Sequence, residues 1–274
     1  MPFTVPLTVF AALLTGKPLD WRLVAVTLAN VLAVAYAFMI NDIEDAPDDS
    51  LDPARAARNP IAMGELSSEM GWTVSVAVAL LSLALYAVGG WWALGIGGIT
   101  LLLCHFYSWK PVRLKAWPVA DVTSHSLMLS GLLFLAGYFT YDLNPGWVWL
   151  IMLALTLVSI YGQLYNQIRD YEMDQAAGLH NTAIIVGERI TRLLMYLSVL
   201  LAIVFFLSAF ALGVLPIWLP FLGIGVFLIV MLVYRPGKDM RGGEVADTSG
   251  HIQIQFLITA NATVGVWLAL VLLG

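Results

Sequence analysis

The chain has 274 residues, of which 60% are hydrophobic and 11% charged, and its mean hydropathy is +0.86. Soluble domains contain about 45–50% apolar and about 25% charged residues, so this composition excludes an ordinary soluble protein and predicts an integral membrane protein. The formal net charge of -5 excludes little until the charges are placed along the chain. The single cysteine, Cys104, excludes an internal disulfide and is expected to have a structural role.

Nine apolar segments are predicted to be membrane helices. A helix that crosses a hydrocarbon core of about 30 Å needs about 20 mostly apolar residues. The predicted architecture is therefore all-α, a polytopic membrane protein of about nine transmembrane helices that form one domain over residues 1–274. In chain order, the predicted spans are residues 3–15, 22–41, 71–88, 91–107, 119–139, 147–166, 190–212, 214–234 and 252–273.

The first predicted span is short and contains Pro2 and Pro6. We expect it either to be half-inserted or to follow a native N-terminus that has been trimmed. A secretory signal peptide is the alternative interpretation. The positively charged start of such a peptide is missing, however, and Lys17 comes after the apolar stretch.

The charges fall mainly on one side of the predicted bundle. With nine spans the loops alternate between two faces, and one face receives the N-terminus and residues 42–70, 108–118, 167–189 and 235–251. Of the 13 Lys and Arg residues, all but Lys17 and Arg22 lie in or beside these loops, so the positive-inside rule predicts that this face is cytoplasmic. The same face carries 16 of the 18 acidic residues, all but Asp20 and Asp142. Because acids contribute little to orientation, this excess indicates a site that needs carboxylates.

An acidic pattern follows the second span and recurs after the sixth. The first copy, residues 41–49, reads N-D-I-E-D-A-P-D-D, and the second, residues 166–174, reads N-Q-I-R-D-Y-E-M-D. Each can be written N-x3-D-x3-D, and positions i, i+4 and i+8 lie on one face of a helix. The recurrence at the cytoplasmic ends of two apolar helices predicts an internal repeat or a two-fold arrangement.

Two such helix faces turned towards each other would concentrate at least four carboxylates and two amides. Like charges at short distance repel one another, and a divalent cation removes that cost. Mg²⁺ prefers oxygen ligands and is commonly held by a few carboxylates together with phosphate oxygens of a substrate. The pattern therefore predicts a Mg²⁺ site for a phosphorylated substrate. The alternative is that the acids only solvate two helix ends.

Pro47 interrupts the first acidic copy. Proline inside a helix removes a hydrogen bond and disfavours helix at the preceding residue, so we expect the helix to bend or end near Ala46. Asp42 and Asp45 are then the safer metal ligands. Either Asp48 or Asp49 is expected to turn towards the metal.

Basic residues on the same face would complement an anionic substrate, because Lys and Arg commonly take the phosphate oxygens that metals leave free. We favour this role for Arg58 and Lys110, whereas Arg113 and Lys115 are about equally well explained as ordinary cytoplasmic positive charges.

The chain has no glycine-rich phosphate loop, so an ATP-driven pump is not indicated. Its four histidines lack metal-ligand spacing such as H-E-x-x-H, and structural roles are expected for them.

In order and spacing, these motifs resemble those of the UbiA superfamily of intramembrane prenyltransferases over nearly the whole chain. The residues that match the two acidic motifs of the family are Asn41, Asp42, Asp45, Asp49, Asp170, Asp174, Gly178 and Thr182. Tyr107, Ser108 and Lys110 resemble the family's Y-S-x-K element, with Lys115 as a second candidate for the lysine. Arg58 stands where the family has an R-P-x-x-x-G-like segment, but Asn59 separates it from the proline.

The resemblance implies a bundle of nine transmembrane helices around a central cavity, capped on the cytoplasmic side by the loops after spans two and six. It implies a Mg²⁺-dependent enzyme that transfers a polyprenyl group from an allylic diphosphate to a lipophilic or aromatic acceptor and releases diphosphate. The implied partners are thus the polyprenyl diphosphate donor, the acceptor and membrane lipid. No nucleic acid partner is expected.

The resemblance also implies roles for individual residues. The implied metal ligands are Asn41, Asp42, Asp45, Asp49, Asp170 and Asp174. The implied diphosphate-binding residues are Arg58, Tyr107, Lys110, Lys115 and Asn166. Catalysis is implied to depend most on Asp45, Asp174 and Lys110.

A cation-coupled membrane transporter is the main alternative, because acidic rings and repeats also occur in cation pathways. Carboxylates in such a pathway should lie near the bilayer midplane, whereas every acid here falls at a predicted helix end or in a loop. Phosphotransfer onto a membrane alcohol is a second alternative, but its D-G and A-R elements are not in the required arrangement.

The nature of the acceptor is suggested by the charges inside the spans. Apart from Arg22, the membrane parts of spans two to six hold no Lys or Arg away from their cytoplasmic ends. This favours a neutral, lipid-like or hydrocarbon acceptor over an aromatic acid.

Overall fold

The chain forms helices and no strands in the residues that the structure describes. The computed structural model describes residues 4–176, 178–234, 237 and 248–274. The α-helices are α1 Thr4–Leu14, α2 Trp21–Asp49, α3 Pro53–Ala56, α4 Ser68–Val88, α5 Trp91–Ser108, α6 Ala120–Ser126, α7 Leu132–Phe139, α8 Val148–Arg169, α9 Tyr171–Ala176, α10 Thr182–Val186, α11 Glu188–Ala211, α12 Leu219–Val233 and α13 Thr248–Leu273. A 3-10 turn, Leu114–Ala116, follows α5, and a π-helical turn, Leu127–Gly131, joins α6 to α7.

Every predicted span contains an apolar helix. Within the described ranges, seven helices are long and apolar enough to cross a membrane: α2, α4, α5, the continuous α6–α7 span, α8, α11 and α13. The other two, α1 and α12, have 11 and 15 residues. At a rise of 1.5 Å per residue α12 is about 22 Å long, less than a hydrocarbon core of about 30 Å. The prediction of a full span over residues 214–234 was therefore too long, because α12 starts only at Leu219, with a proline in its first turn.

Helix α2 was predicted to bend or end near Ala46, and it does not end there but extends past Pro47 to Asp49. Pro47 stands in the last turn of the helix, where its missing N–H removes a single hydrogen bond. The Ser50 N–H still donates to the Ala46 carbonyl oxygen at 3.0 Å. The whole first acidic copy therefore lies on one continuous helix.

The two helices that carry the acidic copies pack in a similar way. Helix α2 runs along α4, the next long helix in the chain, and α8 runs along α11. These are the two most extensive helix pairs among the described residues. Their matching places in chain order support the predicted repeat, which stays a prediction. Large apolar side chains such as Leu81, Leu200 and Phe221 are exposed on the outside of the bundle, as expected for contact with lipid.

Asn30 joins four helices in the middle of the bundle. Its Nδ2 donates to Thr8 Oγ1 of α1 at 2.7 Å and to the Leu133 carbonyl oxygen of α7 at 3.0 Å. Its Oδ1 accepts from the Tyr86 hydroxyl of α4 at 2.5 Å. Asn30 and Tyr86 have no exposed surface. Because lipid offers no hydrophobic drive for helix association, such interhelical hydrogen bonds set which helices meet.

Gly97 of α5 lies directly against the Tyr86 ring, and we expect this contact to be sensitive to a single methyl group. A Cβ added at Gly97 would lie 2.1 Å from the ring, well inside van der Waals distance. Gly97→Ala should therefore lower the free energy of unfolding by about 1–3 kcal/mol. Thermal unfolding of the purified protein in detergent measures this.

Gly98→Ala is the matched control, because a Cβ at Gly98 meets nothing within 4 Å. This variant should unfold within about 0.5 kcal/mol of the parent. Equal unfolding temperatures for the parent and both variants would mean that the close approach of Gly97 to Tyr86 does not constrain the bundle.

Candidate active site

The first acidic copy has five carboxylates, and three of them share one side of α2. Asp42, Asp45 and Asp49 are half-buried and, at positions i, i+3 and i+7, share one helix face. The side chain of Asp48 is 53% exposed, against 18% for Asp45. Of the two candidates that follow Pro47, Asp49 is therefore the more buried, and Asp48 is mostly exposed.

Asn59 is buried and orients Asp49. Its Nδ2 donates to Asp49 Oδ2 at 3.0 Å and to the Asp42 main-chain oxygen at 2.8 Å, while its Oδ1 accepts from two backbone N–H groups of its own loop. This role was not predicted from the sequence. The available sign in the sequence was that Asn59 separates Arg58 from Pro60, unlike the R-P pattern of the family. Arg58 itself, predicted to bind diphosphate, is exposed.

Lys115 and Arg113 bring positive charge to the first acidic copy. Lys115 Nζ donates to Asp45 Oδ2 at 2.5 Å and to Asn41 Oδ1 at 3.0 Å. Arg113 Nη2 lies 3.4 Å from carboxylate oxygens of both Asp45 and Asp48. Burial lowers the pKa of Lys115, and the adjacent Asp45 carboxylate opposes that change. Arg113 and Lys115, which the sequence explains equally well by function or by membrane orientation, are thus both in contact with Asp45.

Lys110 contacts the first acidic copy through its backbone, and its predicted role in binding diphosphate stays a prediction. Its side chain is exposed, and its backbone N–H donates to Glu44 Oε2 at 3.1 Å. After α5 the chain turns, and Arg113 takes a left-handed conformation with φ of 46°. The 3-10 turn that follows carries Lys115, the second candidate, to Asp45.

The second acidic copy crosses a helix boundary. Helix α8 ends at Arg169 and α9 follows after one residue, but the Asp170 N–H still donates to the Asn166 carbonyl at 3.0 Å and the Asp174 N–H to the Asp170 carbonyl at 2.9 Å. The three predicted residues therefore stay on one helical track. Arg169 contacts Asp170 through two hydrogen bonds of 2.8 and 2.9 Å, and Asn181 Nδ2 donates to Asp174 Oδ2 at 2.8 Å.

The end of α5 lies between the two acidic copies. Ser108 Oγ donates to Asn41 Oδ1 of α2 at 3.0 Å. The Tyr107 hydroxyl accepts from Gln163 Nε2 of α8 at 3.1 Å, and the Tyr107 ring centroid lies 5.7 Å from that of His125 in α6. Both acidic copies and the Y-S-x-K element therefore meet at the same end of the bundle.

A comparison with protein families decides what this arrangement belongs to. The model of the UbiA prenyltransferase family matches residues 3–244. The chain belongs to the UbiA prenyltransferase family. This is an enzyme family of membrane prenyltransferases, in agreement with the resemblance noted in the motifs. No curated protein matches the chain.

Solved structures of UbiA homologs share the fold along nearly the full length of the chain. A UbiA homolog from Archaeoglobus fulgidus bound to GPP and Mg²⁺ has a TM-score of 0.76 at 23% identity, over 98% of this chain and 95% of that one. An apo UbiA homolog from Aeropyrum pernix K1 has a TM-score of 0.76 at 17% identity, over 98% and 96%. A digeranylgeranylglyceryl phosphate synthase has a TM-score of 0.61 at 19% identity, over 98% and 91%. The predicted all-α membrane fold is confirmed.

The donor atoms of this UbiA-family site suit Mg²⁺, since they are carboxylate and amide oxygens. Over the described part of the chain, however, no three His, Cys, Asp or Glu side chains are gathered into a metal-binding group. Four of the predicted carboxylate ligands instead contact a nitrogen of a neighbouring side chain. These pairs are Asp45 with Lys115, Asp49 with Asn59, Asp170 with Arg169 and Asp174 with Asn181. An ionised carboxylate has about four lone-pair sites, so each of these side chains can accept its present hydrogen bond and still bind a metal ion.

Proposed function

We propose that this protein uses Mg²⁺ to transfer a prenyl group from an allylic polyprenyl diphosphate to a lipophilic acceptor, with release of diphosphate. The observation that carries the proposal is the contact of Lys115 with Asp45 and Asn41, at the end of the bundle where the second acidic copy also lies. An anion-binding cation beside metal-binding carboxylates is what a diphosphate substrate requires. Family membership supports the same activity.

The carboxylates and amides at the two helix ends are the groups that would hold the metal. They are Asn41, Asp42, Asp45, Asp49, Asp170 and Asp174. Bound Mg²⁺ supplies positive charge that stabilises the departing diphosphate. The Archaeoglobus fulgidus homolog, with its GPP and Mg²⁺, supports this combination of ligands.

Lys115 is better placed than Lys110 for the diphosphate-binding role that the resemblance implies for both. Its Nζ lies beside Asp45, whereas the Lys110 side chain is exposed. Arg113 joins it, because its guanidinium reaches the same carboxylate. Tyr107 and Asn166 stay as predicted diphosphate contacts, while Arg58 would have to turn inward from its exposed position.

In the proposed reaction the allylic C–O bond breaks, and both of its electrons leave with the diphosphate. The acceptor forms a new bond to the allylic carbon and loses one proton to water or to the released diphosphate. Negative charge develops on the leaving group, so fixed donors such as Lys115 and Arg113 stabilise the transition state most when they face it. The apolar helices limit the access of water, which would otherwise capture the allylic cation.

A cation-coupled transporter is the second candidate, but the acids do not favour it. Both acidic copies lie at the ends of their helices, away from the bilayer midplane where transport sites are usually found.

The loop distribution of Lys and Arg supports a cytoplasmic active-site face. Away from their cytoplasmic ends, spans two to six hold no Lys or Arg apart from Arg22, which supports a neutral, lipid-like or hydrocarbon acceptor over an aromatic acid.

The direct test is an assay of the purified protein with a radiolabelled allylic diphosphate, Mg²⁺ and a panel of phenolic, quinone-precursor, glycerol-phosphate and carotenoid acceptors. We expect diphosphate release and a labelled lipid product with one acceptor class. Chelation by EDTA should abolish both, and excess Mg²⁺ should restore them, because the leaving group then regains its counter-charge.

Two results would contradict the proposal. One is the absence of diphosphate release with every acceptor, combined with parent-like binding of donor and metal by Asp45→Ala and Asp174→Ala. The other is cation flux into vesicles that depends on the same aspartates and needs no prenyl donor, which would support the transporter.

A further inference from the structure

Asp121, near the start of α6, is an acid for which the proposed chemistry has no role. It has no exposed surface. Its carboxylate accepts from the Val122 N–H, from Gln167 Nε2 of α8 and from the Thr182 N–H, each at 2.7 Å, and from the Thr182 hydroxyl. All four donors are neutral. An acid buried in this way is costly unless its hydrogen-bonding capacity is used, as it is here.

Backbone N–H groups fix the orientation of the side chains around Asp121. The Ala183 N–H donates to Gln167 Oε1 at 3.1 Å, so the NH₂ end of that amide must face Asp121. The Val119 N–H donates to Thr182 Oγ1 at 2.7 Å, so the hydroxyl proton is directed to the carboxylate. An ionised carboxyl group accepts only, which matches four donors. The geometry around Asp121 therefore has one consistent pattern of donors and acceptors.

This cluster fixes the start of α10 and, through it, the second acidic copy. Thr182 is the first residue of α10, and Asn181 is its N-cap, with Oδ1 accepting from the Ile184 N–H at 3.0 Å. The other end of the Asn181 side chain donates to Asp174 Oδ2 at 2.8 Å. Displacing Thr182 would therefore displace the amide that orients Asp174.

The same cluster also holds the loop that reaches the first acidic copy. Val119 has a φ of 69°, which is strained for a β-branched residue, and its N–H is bound by Thr182. Lys115 lies four residues earlier in this connection and contacts Asp45. Asp121 thus stands between the segment that carries Lys115 and the segment that carries Asn181.

We propose that Asp121 is a positioning residue that ties the two acidic copies together, setting Asp174 through Thr182 and Asn181, and Lys115 through the 115–121 connection. The inference rests on the proposed function, because it assigns Asp121 to the placement of groups that bind Mg²⁺ and diphosphate. Residues that orient metal ligands typically contribute about 10–100-fold to metal affinity or activity.

The test is Asp121→Asn, which keeps the shape of the side chain and turns one acceptor into a donor that faces other donors. The readout is Mg²⁺-dependent binding of an allylic thiolodiphosphate, whose bridging sulfur makes ionisation slow, together with KM and kcat for the natural donor. We expect binding to weaken by about 10-fold or more, with KM rising by a similar factor. Thr182→Val removes the hydroxyl and should also weaken binding, whereas Thr182→Ser keeps it and should bind like the parent. These two variants test the positioning role of Asp121 even where Asp121→Asn folds poorly.

A double-mutant cycle with Asn181→Ala separates positioning from a purely structural role. If Asp121 acts through Asn181, the two losses in binding are less than additive and the unfolding temperatures of the single variants stay close to that of the parent. Additive losses together with lowered unfolding temperatures would overturn the inference. Parent-like binding by a folded Asp121→Asn, or by Thr182→Val, would also overturn it alone. Failure of the parent to bind the thiolodiphosphate with Mg²⁺ would instead overturn the proposed function and this inference with it.

Discussion

Asp45→Ala is expected to lower kcat/KM for prenyl transfer by about 1,000-fold or more, because it removes a proposed metal ligand from the site where the leaving group gains charge. Asp45 is also the acid to which both Lys115 and Arg113 are anchored, at 2.5 and 3.4 Å. One substitution therefore removes a carboxylate and releases two cations. Initial rates with a labelled allylic diphosphate measure the effect, and circular dichroism checks that the helices are retained.

Asp48→Ala is the matched control for Asp45→Ala. Asp48 is on the same helix and lies 3.4 Å from the same arginine, but more than half of its side chain is exposed. Exposed ion pairs contribute about 0–1 kcal/mol, so this variant should keep its rate within about five-fold of the parent. Similar losses in the two variants would show that the face of α2 does not matter and would remove the distinction between Asp49 and Asp48 as well.

Lys115→Met is expected to lower kcat/KM by about 100-fold or more, since a fixed cation beside the departing diphosphate is lost while the length and apolar volume of the side chain are kept. Lys110→Met, five residues earlier, should change kcat/KM by less than about two-fold, because the exposed Lys110 side chain is solvated. The measurement is donor saturation at fixed Mg²⁺ for both variants. A larger loss in Lys110→Met than in Lys115→Met would return the diphosphate-binding role to Lys110.

The acidic copies could be predicted because their geometry is local. Residues at i, i+4 and i+8 share a helix face whatever the rest of the fold does, so the side of α2 on which Asn41, Asp45 and Asp49 lie follows from their spacing alone. The spans follow from hydropathy for a similar reason, because bilayer thickness sets helix length. Local rules can also mislead. Pro47 predicted a bend or an end of the helix near Ala46, but the last turn of a helix tolerates a proline, and α2 continues to Asp49.

The contacts that complete the candidate site depend on the chain far from each residue. The choice of Lys115 over Lys110 depends on a left-handed arginine, a conformation that non-glycine residues seldom adopt. Asp121 is not part of any spaced motif in the sequence. Its role follows from its contact with Thr182, 61 positions later. Asn59 could be seen in the sequence only as a departure from a family pattern. Such roles become visible only when the loops are placed in space.

The hydrogen bonds of Asn30 have a consequence for how much of this protein can be removed. Helix α1 has only 11 residues, yet its Thr8 Oγ1 accepts a hydrogen bond from one of the two N–H groups of the Asn30 amide. A shortened chain that lacks α1 would leave that N–H facing hydrocarbon, where nothing replaces the lost acceptor. Helix α1 is too short to span the bilayer, yet removing it by truncation or replacing it in a fusion protein should therefore destabilise the bundle.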